Sequence, residues 1–296
     1  MKEEWQGTFT AVVTPFNPDG TLDEESLRKL VDFQVDGGVE GLVPCGTTGE
    51  SVTMSLEEQK RVVRVVLEQV DGRVAVVAGA GGNATDKVAI AAREMESLGP
   101  DAILSVVPYY NKPTQEGMFQ HFSKVADAVS VPVILYNVPG RTSSNMLPDT
   151  VLRLAEHENV KAVKEASGNL VQVMEIIKGA PEGFRVLSGE DNLTFPLLSL
   201  GGHGVISVVS NEVPMMMSRM VRDGLSGNWN DARDLHYKLL GLMNANFIET
   251  NPTPVKAALA MMGLIQEAYR LPLVPMKKDN RERLRDHLVK LELVEG

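Results

Sequence analysis

Cysteine is almost missing from this chain: Cys45 is the only one in 296 residues. That excludes an internal disulfide and a thiolate metal cluster. The five histidines (His121, His157, His203, His236 and His287) stand far apart, with none of the spacing of a zinc site. Uninterrupted apolar stretches are short, 129–136 being typical of the longest, so no segment reads as a membrane span. Positive charge is in deficit, with a formal net charge of -10, which argues against a nucleic-acid-binding surface. Residues 1–7 carry two acidic side chains and no apolar run, unlike a signal peptide. These absences lead to the expectation of a soluble, cytoplasmic protein with no membrane or nucleic-acid partner and no metal or nucleotide cofactor.

What is present is a large supply of core. Hydrophobic residues make up 43% of the chain, enough for one large domain or two ordinary ones and too many for disorder. An apolar strand, a turn and an amphipathic helix recur eight times, with strands beginning near Phe9, Gly41, Val74, Ala102, Val131, Val160, Phe184 and Gly204. The strands are continuously apolar rather than alternating, as expected for parallel strands covered on both faces. Ser55 and Glu58 form a capping-box pattern that opens a helix to Val70. A second helix begins at Asp23 and buries Leu27, Leu30, Val31 and Val35, and a third is capped from Asn83. Eight such units in about 220 residues predict an α/β fold, a closed (β/α)8 TIM barrel over 1–227; an open doubly wound sheet is the competing architecture. From 228 to 296 helices follow one another (229–250, 254–262 and 280–293), predicting a C-terminal helical domain.

One strand end stands out. In Val160-Lys161-Ala162-Val163-Lys164-Glu165-Ala166, Lys164 falls at the far end of an apolar strand. An ammonium is costly there, and an amine relieved of its charge is a nucleophile. At its usual pKa only roughly one lysine in 2,500 is neutral at pH 7, so burial decides its reactivity. The plain alternative is a lysine that snorkels to solvent or pairs with Glu165.

In a barrel of this kind the site lies at the C-terminal strand ends. There the sequence places Gly46-Thr47-Thr48-Gly49-Glu50-Ser51, Tyr109 and Tyr110, Tyr136 with Arg141 one turn beyond, and Ser188-Gly189-Glu190-Asp191. Hydroxyls between glycines suit a small carboxylate, a phenol beside a lysine can carry protons, and a guanidinium forks onto a carboxylate. Taken singly, each has an ordinary reading as a tight turn, an amphipathic rim residue or a surface ion pair. His203, set among glycines, reads as turn support rather than as a base. Neither a Ser-His-Asp set nor a GxxxxGK[ST] phosphate loop is present. An amine, proton carriers and a clamp for an acid are what imine chemistry requires.

Five motifs, GTTGES at 46–51, PYYNKPTQEG at 108–117, YNVPGRT at 136–142, KEASGN at 164–169 and GGHGVISV at 201–208, together resemble the 4-hydroxy-tetrahydrodipicolinate synthase (dihydrodipicolinate synthase) family. The likeness runs from the first strand into the C-terminal helices. It implies a (β/α)8 barrel with a helical extension, self-associating as a homodimer or homotetramer, that condenses pyruvate with L-aspartate 4-semialdehyde through a lysine Schiff base. That is the entry step to diaminopimelate and lysine, and it requires no metal or nucleotide. By position the resemblance makes Lys164 the Schiff-base lysine and Tyr136 the proton donor and acceptor, with Thr47 and Tyr110 as relays, Tyr110 reaching in from the adjacent subunit. Thr48 matches the pyruvate-carboxylate contact, Ile206 the backbone contact opposite, Arg141 the carboxylate clamp for the second substrate, and Gly189 the semialdehyde region. N-acetylneuraminate lyase and 2-keto-3-deoxy sugar acid aldolases share the lysine and tyrosine but generally lack YNVPxRT; a barrel that binds keto acids without turnover is the remaining alternative. Ser51, Asn83, Lys87 and Tyr109 match the family's allosteric lysine site. Leu56 and Gln59 stand where lysine-sensitive members often have histidines, and Lys87 where they have glutamate. A cation there repels the ε-ammonium of lysine, so the expectation is weak or absent feedback.

Overall fold

Each of the eight apolar runs becomes a parallel strand, and the eighth pairs with the first. In the computed structural model, which describes residues 5–296, the strands are β1 (Gly7–Thr10), β2 (Gly41–Leu42), β3 (Ala75–Gly79), β4 (Ala102–Val106), β5 (Val133–Asn137), β6 (Val160–Glu165), β7 (Arg185–Ser188) and β8 (Gly204–Ser207). They form one closed barrel in sequence order. Closure sets Gly7 opposite Gly204. A Cβ on Gly204 would stand 2.0 Å from the Gly7 carbonyl oxygen, and its φ is +148°, so the seam requires glycine. Residues 1–4 of the stretch read as lacking a signal peptide lie outside the described residues. No helix among the described residues is long and apolar enough to cross a membrane.

The helices are α1 (Glu24–Asp36), α2 (Leu56–Val70), α3 (Thr85–Glu96), α4 (Gln115–Ala126), the single turn α5 (Pro139–Thr142), α6 (Pro148–Ala155), α7 (Leu170–Gly179), α8 (Thr194–Ser199), α9 (Pro214–Leu225), α10 (Trp229–Ala245), α11 (Thr253–Met261) and α12 (Lys278–Lys290). The capping box of α2 is formed: Ser55 N–H donates to the Glu58 carboxylate at 2.8 Å and Glu58 N–H to the Ser55 hydroxyl at 3.3 Å. On α1, Leu27, Leu30 and Val31 are buried as the pattern requires, while Val35 is half-buried. Two packed layers result, one inside the barrel and one between strands and helices. The C-terminal helices share a core with α9: Met217, Met220 and Val221 pack in one cluster with Leu239, Leu242, Leu284 and Leu288.

Some boundaries differ from those the sequence suggests. Asn83 does not cap α3; its side-chain amide donates to the Tyr109 carbonyl at 3.1 Å, tying two rim loops together. The helix expected over 229–250 stops at Ala245. Asn246 is fully buried and its amide is committed to Glu212 at 2.6 Å; the chain leaves the helix there and crosses the surface at 247–250 before Asn251 is buried again. The last helix runs three residues less far than its apolar pattern, to Lys290.

Candidate active site

Alternation along β6 decides where Lys164 points. Ala162 and Ala166 face the barrel interior, so Lys164 between them does too, while Val163 packs toward the helices. Glu165 therefore faces away from Lys164. Its carboxylate accepts from Asn137 at 3.0 Å, Ser167 N–H at 2.7 Å and Gln172 at 3.2 Å, a buried network of its own. Lys164 is neither snorkelled nor paired with Glu165: it is 5% exposed and makes no ion pair among the described residues. Burial, aided by the charge of Arg141, pushes its pKa down to about 8, with Asp191 pulling the other way. At pH 7 about one amine in ten is then neutral.

Tyr136 is Lys164's register partner on β5. The amine lies over the phenol ring, 4.3 Å from its centroid. Burial raises the phenol's pKa, against which the Arg141 charge and a hydrogen bond from Thr47 act. Two cavities of about 250 and 330 Å³ meet at this phenol, since Thr47, Tyr136, Val138 and Arg141 line both. The larger holds Lys164, Thr48, Gly189 and Glu190; the smaller holds Ser51 and Tyr109. The pair thus joins a desolvated amine to a phenol that a hydroxyl connects toward the mouth.

Most of the expected residues converge here. Thr48 is buried and its hydroxyl accepts from the Asn251 amide at 3.0 Å. Arg141 is exposed at the mouth and donates to the Asn251 carbonyl at 3.2 Å. Gly189 is fitted against the lysine: a Cβ there would come 2.6 Å from the Ala166 Cβ and 3.1 Å from the Lys164 Cε. Ile206 is fully buried on β8, within the interior cluster that includes Tyr136 and Leu187. Tyr110 is not brought in: it is 90% exposed, its φ is +74°, and it lines neither cavity of its own chain. Lys87 is exposed on α3, while Asn83, Tyr109 and Ser51 lie near one another at the rim. Gln59, on α2, donates to the Ser51 carbonyl at 2.9 Å. His203 sits before β8 and supports the closure, its ring accepting from Val186 N–H at 3.1 Å.

The chain belongs to the dihydrodipicolinate synthetase family. The family model matches residues 4–291. The 4-hydroxy-tetrahydrodipicolinate synthase of Koribacter versatilis is 52% identical over 280 residues, covering 94% of this chain and 93% of the relative. The crystal structure of dihydrodipicolinate synthase from Aquifex aeolicus superposes with a TM-score of 0.96 at 43% identity, over 99% of this chain and 100% of that one. That of the Cyanidioschyzon merolae enzyme, with lysine bound, has a TM-score of 0.96 at 39% identity, over 99% and 100% of the two chains. The candidate site lies at the C-terminal ends of the strands, where barrels of this kind carry theirs.

Three contributors had no role assigned from the sequence, although Glu190 and Asp191 stood in its rim motif. Asn251 arrives from the loop before α11, over a hundred residues from Arg141 in the chain. Asp191 is buried, and one of its oxygens accepts from Val208 and Val209 N–H at 3.0 and 2.8 Å, placing a carboxylate close enough to act on Lys164. Glu190, half-buried at the cavity wall, has its carboxyl pKa raised by burial and by the neighbouring Glu165 and Asp191 charges. The Ser-Gly-Glu-Asp motif hinted at the last two. Nothing in the local sequence pointed to Asn251.

Proposed function

We propose that this chain condenses pyruvate with L-aspartate 4-semialdehyde to 4-hydroxy-tetrahydrodipicolinate, with Lys164 forming the Schiff base. The observation that carries the reading is the buried, unpaired amine stacked on a register-matched phenol, in a chain of this family. The neutral Lys164 amine adds to the ketone carbon of pyruvate, and loss of water gives the imine. Removal of a methyl proton yields the enamine, whose carbon attacks the aldehyde. The second substrate's own amino group then adds to the imine carbon, closes the ring and expels the Lys164 amine. Tyr136 donates and accepts the protons, with Thr47 linking its phenol outward. Thr48 and the backbone at Ile206 hold the pyruvate carboxylate, Arg141 holds the carboxylate of the semialdehyde, and Gly189 leaves room beside the lysine. The covalent imine supplies the electron sink, so the chemistry requires neither metal nor nucleotide.

The exposure of Tyr110 supports a site completed by a second copy of the chain, in which each copy lends this phenol to the other within a homodimer or homotetramer. Its place in this reading is the cytoplasm. Barrel residues 1–227 supply the chemistry and residues 228–296 the flanking helices. At the rim, the exposed Lys87 cation opposes an incoming lysine ammonium, so millimolar lysine inhibits turnover weakly or not at all; steep inhibition in that range would refute this assignment.

The direct test is borohydride reduction with pyruvate followed by peptide mass analysis, which is expected to place the adduct on the peptide carrying Lys164. Steady-state condensation is compared with cleavage of N-acetylneuraminate and 2-keto-3-deoxy sugar acids. Faster cleavage than condensation assigns the chain to the sugar-acid aldolases, and an adduct without either turnover to a keto-acid-binding barrel.

A further inference from the structure

Residues 46–51 carry Thr47 and Thr48, and the backbone is held in an unfavourable conformation at two points, just before this loop and within it. Cys45 at one end has φ +58° and Glu50 at the other +54°, both in the left-handed region that non-glycine residues avoid. Such a segment persists only where its surroundings hold it from several sides. On one side the Gly49 carbonyl accepts from the Thr14 hydroxyl at 2.7 Å. On the other is the Lys256 ammonium, which donates to Glu50 Oε1 at 2.5 Å although Lys256 lies 206 residues away on α11. Side-chain exposure is 0% for Lys256 and 1% for Glu50. The ammonium also faces the rings of Phe16 and Tyr269, 4.5 and 5.5 Å from their centroids.

We propose that the buried Glu50–Lys256 ion pair is a positioning device, by which the C-terminal helices hold the 46–51 loop so that Thr47 meets Tyr136. A buried ion pair is a poor source of stability, since apolar side chains of similar volume serve as well or better. What it adds is direction: the carboxylate must sit where the ammonium is. The same end of α11 grips the loop a second time, because Asn251, just before the helix, donates to the Thr48 hydroxyl. Thr47 lies between these two anchors and the phenol it bonds. Slackening the loop therefore separates Thr47 from Tyr136 without altering either group. Glu50 and Lys256 touch no reacting atom; they act through Thr47. This inference rests on the Schiff-base reading above.

The test is the double variant Glu50→Gln/Lys256→Met, which removes both charges at nearly constant volume. It is expected to unfold cooperatively and to form the pyruvate–borohydride adduct, but to turn over at least about ten-fold more slowly than wild type. The decisive readout is coupling to Thr47. Thr47→Val is expected to slow the wild type strongly and to slow the double variant less than about two-fold further, because there the relay is already broken. Wild-type turnover in the double variant, or an undiminished penalty for Thr47→Val within it, overturns the proposal. If the double variant folds poorly, Glu50→Asp, which keeps both charges but draws the carboxylate back by one methylene, carries the same coupling test. An absent adduct in the wild type overturns the Schiff-base reading itself; an adduct in the wild type with full turnover in the variant overturns only this inference.

Discussion

Lys164 and Lys256 are both shut away from water, 5% and 0% exposed, yet their environments differ in the one respect that sets reactivity. Burial lowers both pKa values. Lys256 has Glu50 at 2.5 Å, whose charge pulls its pKa back up, and an ion-paired ammonium is no nucleophile. Lys164 has no such partner; its nearest anionic influence, Asp191, is tied to backbone N–H groups, and Arg141 disfavours its charge further. Burial alone does not make a reactive lysine. Withholding a carboxylate does.

The comparison breaks most visibly at the two lysines themselves. Lys164→Ala is expected to cut turnover by on the order of 10⁴-fold or more and to abolish the borohydride adduct, with circular dichroism unchanged. Lys256→Met alone leaves the Glu50 carboxylate buried without its partner, and is expected to cost about 3–5 kcal/mol in denaturant unfolding, most of it recovered by adding Glu50→Gln. If Lys256→Met instead abolished the adduct while leaving stability intact, the roles assigned to the two amines would be reversed.

Smaller changes sharpen the picture around Lys164. Tyr136→Phe removes only the hydroxyl and is expected to slow kcat by roughly 10²-fold with little loss of stability, as read by steady-state condensation. Gly189→Ala drives a methyl against Ala166 and the lysine stem, and is expected to slow adduct formation by roughly ten-fold, measured by trapping at fixed pyruvate. The mildest test is pH. Because burial brings the Lys164 pKa down to about 8, the trapping rate is expected to rise with pH up to about 8 and level off above it. The Asp191 charge raises that pKa, so Asp191→Asn is expected to move the rising limb to lower pH; a limb that stays in place or moves up contradicts the assigned electrostatics.

Local pattern carried much of this molecule. Strand starts at Val160 and Gly204, the capping box at Ser55, and Lys164 at the end of β6 all follow from runs and spacings of a few residues, because strands buried on both faces and helix caps have short-range signatures. The five motifs likewise resemble their family within stretches of six to ten residues. Whether Lys164 pairs with Glu165 was left open by the sequence and was decided by the two faces of β6.

Sequence alone was enough to count eight β/α units, to favour their closure, to set Lys164 near the end of the sixth strand, and to list phenols, threonines and an arginine for one rim. Tertiary structure alone decided that Asn251 grips Thr48 and Arg141, that Lys256 meets Glu50, and that Tyr110 turns outward. These contacts join residues separated by 110 to 206 positions or depend on the direction a loop takes after its strand. Hydrophobic periodicity is written along a few turns of chain, whereas the partner of a buried charge is set by where folding leaves two distant segments side by side.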